Sequence, residues 1–190
     1  TTREAARLLE QLQKDIGAAV LARPRKLVKP GELTLAELTS LQNNVRIQLA
    51  RAYRNQGLTY GRGTDDQFAA ISQALDQLRV VANQLGPDEP LSVQIRLEEA
   101  ACLRDVEKLV ESSAVIGPLA LLQLSPELSA KVRAEQIRLA LAQGRLPEAA
   151  ALAGDLSAAV DLADLDFARL ETMVEFWKAA EKSRSAPEAF

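Results

Sequence analysis

The sequence predicts an all-α chain of roughly eight helices, stacked as about three to four helical hairpins in a right-handed α-α superhelix, or solenoid. Three observations lead there. Apolar residues recur three and four positions apart along most of the 190 residues, which places one apolar stripe on each helix. Hydrophobic residues make up 47% of the chain but aromatic ones only 4%, so the core is built from Leu, Ala, Val and Ile, which suits close helix pairs better than a sheet. Helix starts near residues 91, 127 and 163 fall 36 residues apart, and a short turn divides each unit into two helices.

The elements follow in order. Residues 3–22 carry Ala5, Leu8, Leu9, Leu12, Ile16, Ala19 and Val20 on one stripe, and Pro24 closes that helix. After a turn at Lys29-Pro30-Gly31, Thr34 with Glu37 makes a capping box for a long helix over about 35–59. Its stripe is Leu38, Leu41, Val45, Leu49, Ala52 and Tyr53, and Gly57, Gly61 and Gly63 mark its end. Thr64, Asp65 and Asp66 start a third helix with Phe68, Ile71, Leu78 and Val81 inward, stopped by Gly86-Pro87. A fourth begins after Pro90 and breaks near Leu103-Arg104; a fifth spans about 105–115, ended by Gly117-Pro118. Ser125-Pro126-Glu127, a Ser cap with Pro at the first helical position, opens the sixth, which runs to Gly144. Pro147 opens the seventh, with Ala150, Leu152, Ala153, Leu156 and Val160. The eighth spans about 163–183 with Leu165, Phe167, Leu170, Met173, Val174, Phe176 and Trp177, and the stripe Phe167, Met173, Phe176 and Trp177 reads as core or as a capping surface.

Composition excludes whole classes of chemistry. Histidine is absent and Cys102 is the sole cysteine, so disulfides, the usual zinc sites and His-based triads have no residues to use. No run of 18 apolar residues exists to span a membrane. Thr1, in place of Met, leads straight into a helical pattern and reads as a processed product or a piece of a longer protein. The formal charge is −3, yet residues 1–31 carry +4 and the remainder −7. Arg23-Pro24-Arg25-Lys26 has no aromatic neighbour to stack on a base and reads as a solvated loop, so no nucleic-acid partner is expected. Two parts result: residues 1–31, a helix and basic loop packing on the rest, and residues 32–190, a helical-repeat domain.

Within 133–153, Ile137, Ala140, Gly144, Glu148-Ala149 and Ala153 follow an order of large and small residues, a turn glycine and an opening Glu-Ala that resembles the tetratricopeptide repeat family. Leu49-Ala50 with Tyr53 and Gln56-Gly57 is similar to the first helix of such a repeat, although Leu58 to Asp66 inserts extra residues after it. Residues 91–124 keep only the helix pair, with Arg104 where the turn glycine would stand. The eighth helix would open a further repeat whose second helix is missing or lies beyond Phe190.

The resemblance implies a concave groove lined by the first helix of each pair, at Asn44, Ile47, Arg51, Arg54 and Asn55, then Gln94 and Glu98, then Lys131 and Arg138. The expected partner is an acidic segment of a protein or peptide, bound through Asn44, Arg51, Arg54, Asn55, Lys131 and Arg138. Ile47 and Arg51 stand where the family's carboxylate clamp needs Lys and Asn, so that clamp is not carried over. The chain is thus expected to be a non-enzymatic interaction scaffold that needs no cofactor. A self-associating structural domain, pairing through Leu170, Phe176 and Trp177 of the last helix, stays open beside it, as do a helical enzyme and a nucleic-acid binder. For an enzyme, Glu98 and Glu99 beside Cys102 form the one compact cluster, and neighbours on a helix point apart.

Overall fold

The structure, a computed structural model, describes residues 2–22, 31–86, 89–158 and 167–185. Those residues form eight helices and no strand: α1 (Thr2–Ala22), α2 (Leu35–Gly57), α3 (Asp65–Ala82), α4 (Pro90–Asp105), α5 (Leu109–Leu119), α6 (Pro126–Ala142), α7 (Leu146–Ala158) and α8 (Phe167–Ser185). The all-α class is as expected. No described helix is long and apolar enough to cross a membrane. The turn at Lys29-Pro30, the basic run Arg23 to Lys26, Val160 and the expected start at 163 lie outside the described residues.

The caps are local chemistry carried out as written. Thr34 Oγ1 accepts from the Glu37 N–H (3.2 Å) while a Glu37 carboxylate oxygen accepts from the Thr34 N–H (2.7 Å), so two amides left over at the helix start are satisfied reciprocally. Thr64 and Ser125 cap α3 and α6 in the simpler way, each accepting from the N–H three residues on.

The chain divides into two compact units, 1–86 and 87–190. The boundary expected at 31/32 falls inside the first, where α2 packs against both α1 and α3. A helix with neighbours on two sides must bury two stripes, and α2 does: Leu38, Val45, Leu49 and Ala50 are buried, and so are Asn43 and Ile47. Ile47 is therefore core, not the groove residue that the sequence suggested. Gly57 ends α2 without a positive φ; its role is close approach, since a Cβ there would meet Ile71 Cδ1 at 3.0 Å.

Helix α1 is rotated from the expected stripe. Ala6 and Ile16 are buried, with Gln13 and Val20 half-buried, while Leu8 and Leu12 face outward. Hydrogen bonding explains the turn: Gln13 Nε2 donates to Gln77 Oε1 (3.0 Å), which also accepts from Arg46 (3.2 Å). Tyr53 donates to Glu10 (2.7 Å), and Arg3 donates to the Tyr60 hydroxyl (3.2 Å), tying α1 further. Phe68 and Leu41, expected inside, are also exposed.

These contacts divide the two tyrosines. Burial, the hydrogen bond to Glu10 and its charge push Tyr53 up to about 12, while hydrogen bonds from Gln56 and Arg3 hold half-buried Tyr60 below the ordinary value of 10.0. Tyr53 therefore contributes stability that is whole below pH 10 and is lost as pH rises toward 12. A phenolate absorbance titration is expected to show two steps, Tyr60 first, with the later step removed by Tyr53→Phe. Both tyrosines titrating together near pH 10 in the folded chain would contradict it.

In the second unit α4 packs on α5 and α6, α5 on α6, α6 on α7 and α8, and α7 on α8. One cluster joins Val93, Ala100, Ile116, Leu119, Leu128, Val132 and Leu139; another joins Ala130, Ile137, Ala140, Ala149, Ala153 and Phe176. Helix α6 contributes to both, one face to each. The buried Ser112 hydroxyl donates to the Ala100 carbonyl (2.8 Å), closing the α4–α5 pair.

The two turns in this unit share one geometry. After α4, Lys108 N–H donates to the Leu103 carbonyl (2.9 Å) and Glu107 N–H to that of Arg104 (3.0 Å). After α6, Arg145 N–H donates to Ala140 (2.8 Å) and Gly144 N–H to Leu141 (3.0 Å). This paired closure needs a left-handed residue at its centre, and Glu107 (φ 60°) supplies it 37 residues before Gly144 (φ 72°). The turn position is thus Glu107, three residues beyond Arg104. Helix α5 starts later and ends later than expected, at Leu109 and Leu119, because Pro118 falls in its last turn, where one lost amide donor is tolerable.

A glutamate at positive φ is strained where glycine is not. Glu107→Gly is expected to stabilise the second unit by about 0.5–1 kcal/mol, the left-handed penalty less the added chain entropy of glycine. The urea midpoint followed by Trp177 fluorescence checks this; an unchanged or lower midpoint would contradict it.

Candidate functional site

The sequence-derived positions fall on two helices in the two units. On α2, Asn44, Arg51 and Asn55 lie along one outward strip at helical spacing, and exposed Gln48 completes it. Gln48 was legible as the position between Asn44 and Arg51 on the same face. Asn44 turns its amide back to the Ser40 carbonyl (3.1 Å), and Leu41 extends the strip as a 40%-exposed apolar end. Arg51 and Arg54 are half-buried and both are engaged within the chain, Arg54 lying beside the strip.

On α6, Lys131 pairs with Glu127 one turn earlier, and Arg138 Nε meets Glu175 Oε2 of α8 at 3.0 Å. The Arg138 side chain is 17% exposed against 46% for Glu175, so the pair sits at the surface and joins the two helices. On α4, Gln94 is exposed and Glu98 is half-buried and engaged within the chain. What the surfaces offer is amide donors and acceptors with guanidinium and ammonium groups already in local pairs. Such pairs can exchange an internal carboxylate for one from a partner at small net cost.

A denser charged cluster lies inside the second unit. Arg104 Nε donates to Glu135 Oε1 (2.7 Å), and its NH1 lies 3.1 Å from Asp105 Oδ1. Glu135 and Asp105 side chains are 7% and 6% exposed, so one guanidinium neutralises two nearly buried carboxylates and clamps the end of α4 to the middle of α6. The sequence did hold a signal: Glu135 sits between Val132 and Leu139 on the apolar stripe of α6.

Cys102 is buried on α4, and among the described residues no group of three or more His, Cys, Asp or Glu side chains is placed to hold a metal ion. A small pocket of about 50 Å³ is lined by Leu119, Leu122, Leu124 and Val132 together with Ser129, Arg133 and Gln136. Comparison of the chain with protein-family models, with curated proteins and with solved structures finds no match.

Proposed function

We propose that this chain is a non-catalytic scaffold of tetratricopeptide-like helical hairpins that binds an acidic segment of a partner protein along its first helices. The observation that carries the reading is the repeated turn: Glu107 and Gly144, 37 residues apart, close their helices by the same pair of hydrogen bonds. Pro90 and Pro126 start α4 and α6 at the nearly equal spacing of 36. The contact order supports it too, because each of α4 and α6 meets its own second helix and the next first helix, as stacked hairpins require. Units of this kind bury a shared core and leave one face of the first helices for ligands. In the first unit Asn44, Gln48, Arg51 and Asn55 supply side-chain donors on α2, and in the second, taken by itself, Lys131 and Arg138 do so on α6.

Fluorescence anisotropy with a labelled ten-residue Asp/Glu-rich peptide tests this. Binding is expected to weaken with salt, and Arg51→Glu or Lys131→Glu to weaken it about tenfold, the equivalent of about 1.4 kcal/mol. Affinity unchanged in both variants, or equal affinity for a neutral peptide, would overturn the reading.

A further inference from the structure

We infer that α1 is a releasable strap: it leaves its seat on α2 as one unit while α2 and α3 stay paired, and its release opens an apolar stripe of α2. Two stripes run along the inner side of α2. Leu38, Gln42, Val45, Leu49, Tyr53 and Gln56 follow one another at spacings of three and four, and so do Asn43, Ile47, Ala50, Arg54 and Gly57. The first faces α1, since a Cβ on Gly17 would meet the Gln42 amide at 3.4 Å and Tyr53 donates to Glu10. The second faces α3, since a Cβ on Gly57 would meet Ile71 and Ala70. Helices α1 and α3 each pack on α2 and reach one another through the side chains of Gln13 and Gln77, so the two seats can open separately.

The two seats are unequal. Helix α3 buries Ala70, Ile71, Ala74, Leu75, Leu78 and Val81, whereas α1 buries only Ala6 and Ile16 of its 21 residues. The centre of the inner stripe of α1, between Leu9 and Ile16, is the polar Gln13, and Leu8 and Leu12 are already exposed, so release gives up little apolar burial. Side-chain hydrogen bonds add to the seat at Gln13, Glu10 and Arg3, but each is exchanged for one to water when α1 leaves, so their net hold is small. Arg46 lies between the two stripes, and its Nε is buried with no hydrogen-bond partner among the described residues. Water entering the opened seam removes that cost, which favours release further. What the strap covers is Leu38, Val45 and Leu49, all buried while it is closed. The release involves the side of α2 opposite the Asn44–Asn55 strip and is independent of the peptide-binding reading.

Hydrogen exchange of the full chain, read by mass spectrometry on peptic fragments, tests this with no substitution at all. The amides of α1 are expected to exchange together, at least about tenfold faster than those of α3 yet slower than in an unstructured peptide. Tyr53→Phe, which keeps the ring and removes the bond to Glu10, is expected to speed exchange in α1 about threefold to tenfold and to leave α3 unchanged. Val45→Cys and Ile47→Cys place thiols on the two stripes at sites of nearly equal burial, 5% and 6% exposed. Modification by a thiol reagent, followed on the peptide that carries each, is expected to be at least about tenfold faster for Val45→Cys. Equal exchange in α1 and α3, an α1 with no protection, acceleration of both helices by Tyr53→Phe, or equal modification of the two thiols would each overturn the inference.

Discussion

Arg104→Ala is expected to destabilise the second unit by about 3–5 kcal/mol, because it leaves two buried carboxylates without their cation. The geometry sets the size: Arg104 Nε lies 2.7 Å from Glu135, NH1 lies 3.1 Å from Asp105, and the arginine side chain is 18% exposed. Water cannot replace the guanidinium at Glu135 without opening the contact between α4 and α6. Urea unfolding followed by Trp177 fluorescence reads the loss. Combining Arg104→Ala with Glu135→Leu is expected to recover part of it, since the apolar side chain removes one of the two stranded charges and stands between Val132 and Leu139 on the helix. A single-variant loss within about 0.5 kcal/mol, the size seen for ordinary surface changes, would show that the cluster is solvated and not a clamp.

Ile137→Ala is expected to cost about 2–5 kcal/mol. Ile137 is fully buried in a cluster with Ala130, Ala140, Ala149, Ala153 and Phe176, and the four alanines are too short to refill the space left behind, so any relaxation has to come from Phe176 or from the partly buried Leu141, Leu146, Leu152 and Met173 around them. Contacts with Phe176 weaken together with those to α7. Unfolding that detects the loss through Trp177 places it in the α6, α7 and α8 group. A cost below about 1 kcal/mol would mean that the site collapses, as a loosely packed bundle would allow.

Periodicity made the helices legible, and capping residues made their starts legible, since Thr34, Thr64 and Ser125 act through neighbours three positions away. The turn at Gly144 was legible because glycine is the usual left-handed residue; its counterpart was missed because Glu107 adopts the same φ without announcing it. Ile47 was misplaced for a different reason. Which stripe of a helix is buried depends on how many helices flank it, and that is long-range information: α2 has a neighbour on each side. The rotation of α1 likewise follows from Gln13, Gln77 and Arg46 finding one another across helices. Of the candidate site, the strip on α2 was readable from helical spacing. The pairing of Arg138 with Glu175, 37 residues away, was not, because ion pairs between helices leave no local mark.

Backbone-amide chemical-shift mapping during titration with the acidic ten-residue peptide tests most directly whether the first helices form the binding face. The scaffold account predicts that the largest changes fall, within each unit by itself, on its first helix: at Asn44, Gln48, Arg51 and Asn55 on α2 or at Lys131 and Arg138 on α6. No change at saturating peptide, or changes centred on α5 and α7, the second helices of the pairs, would contradict it.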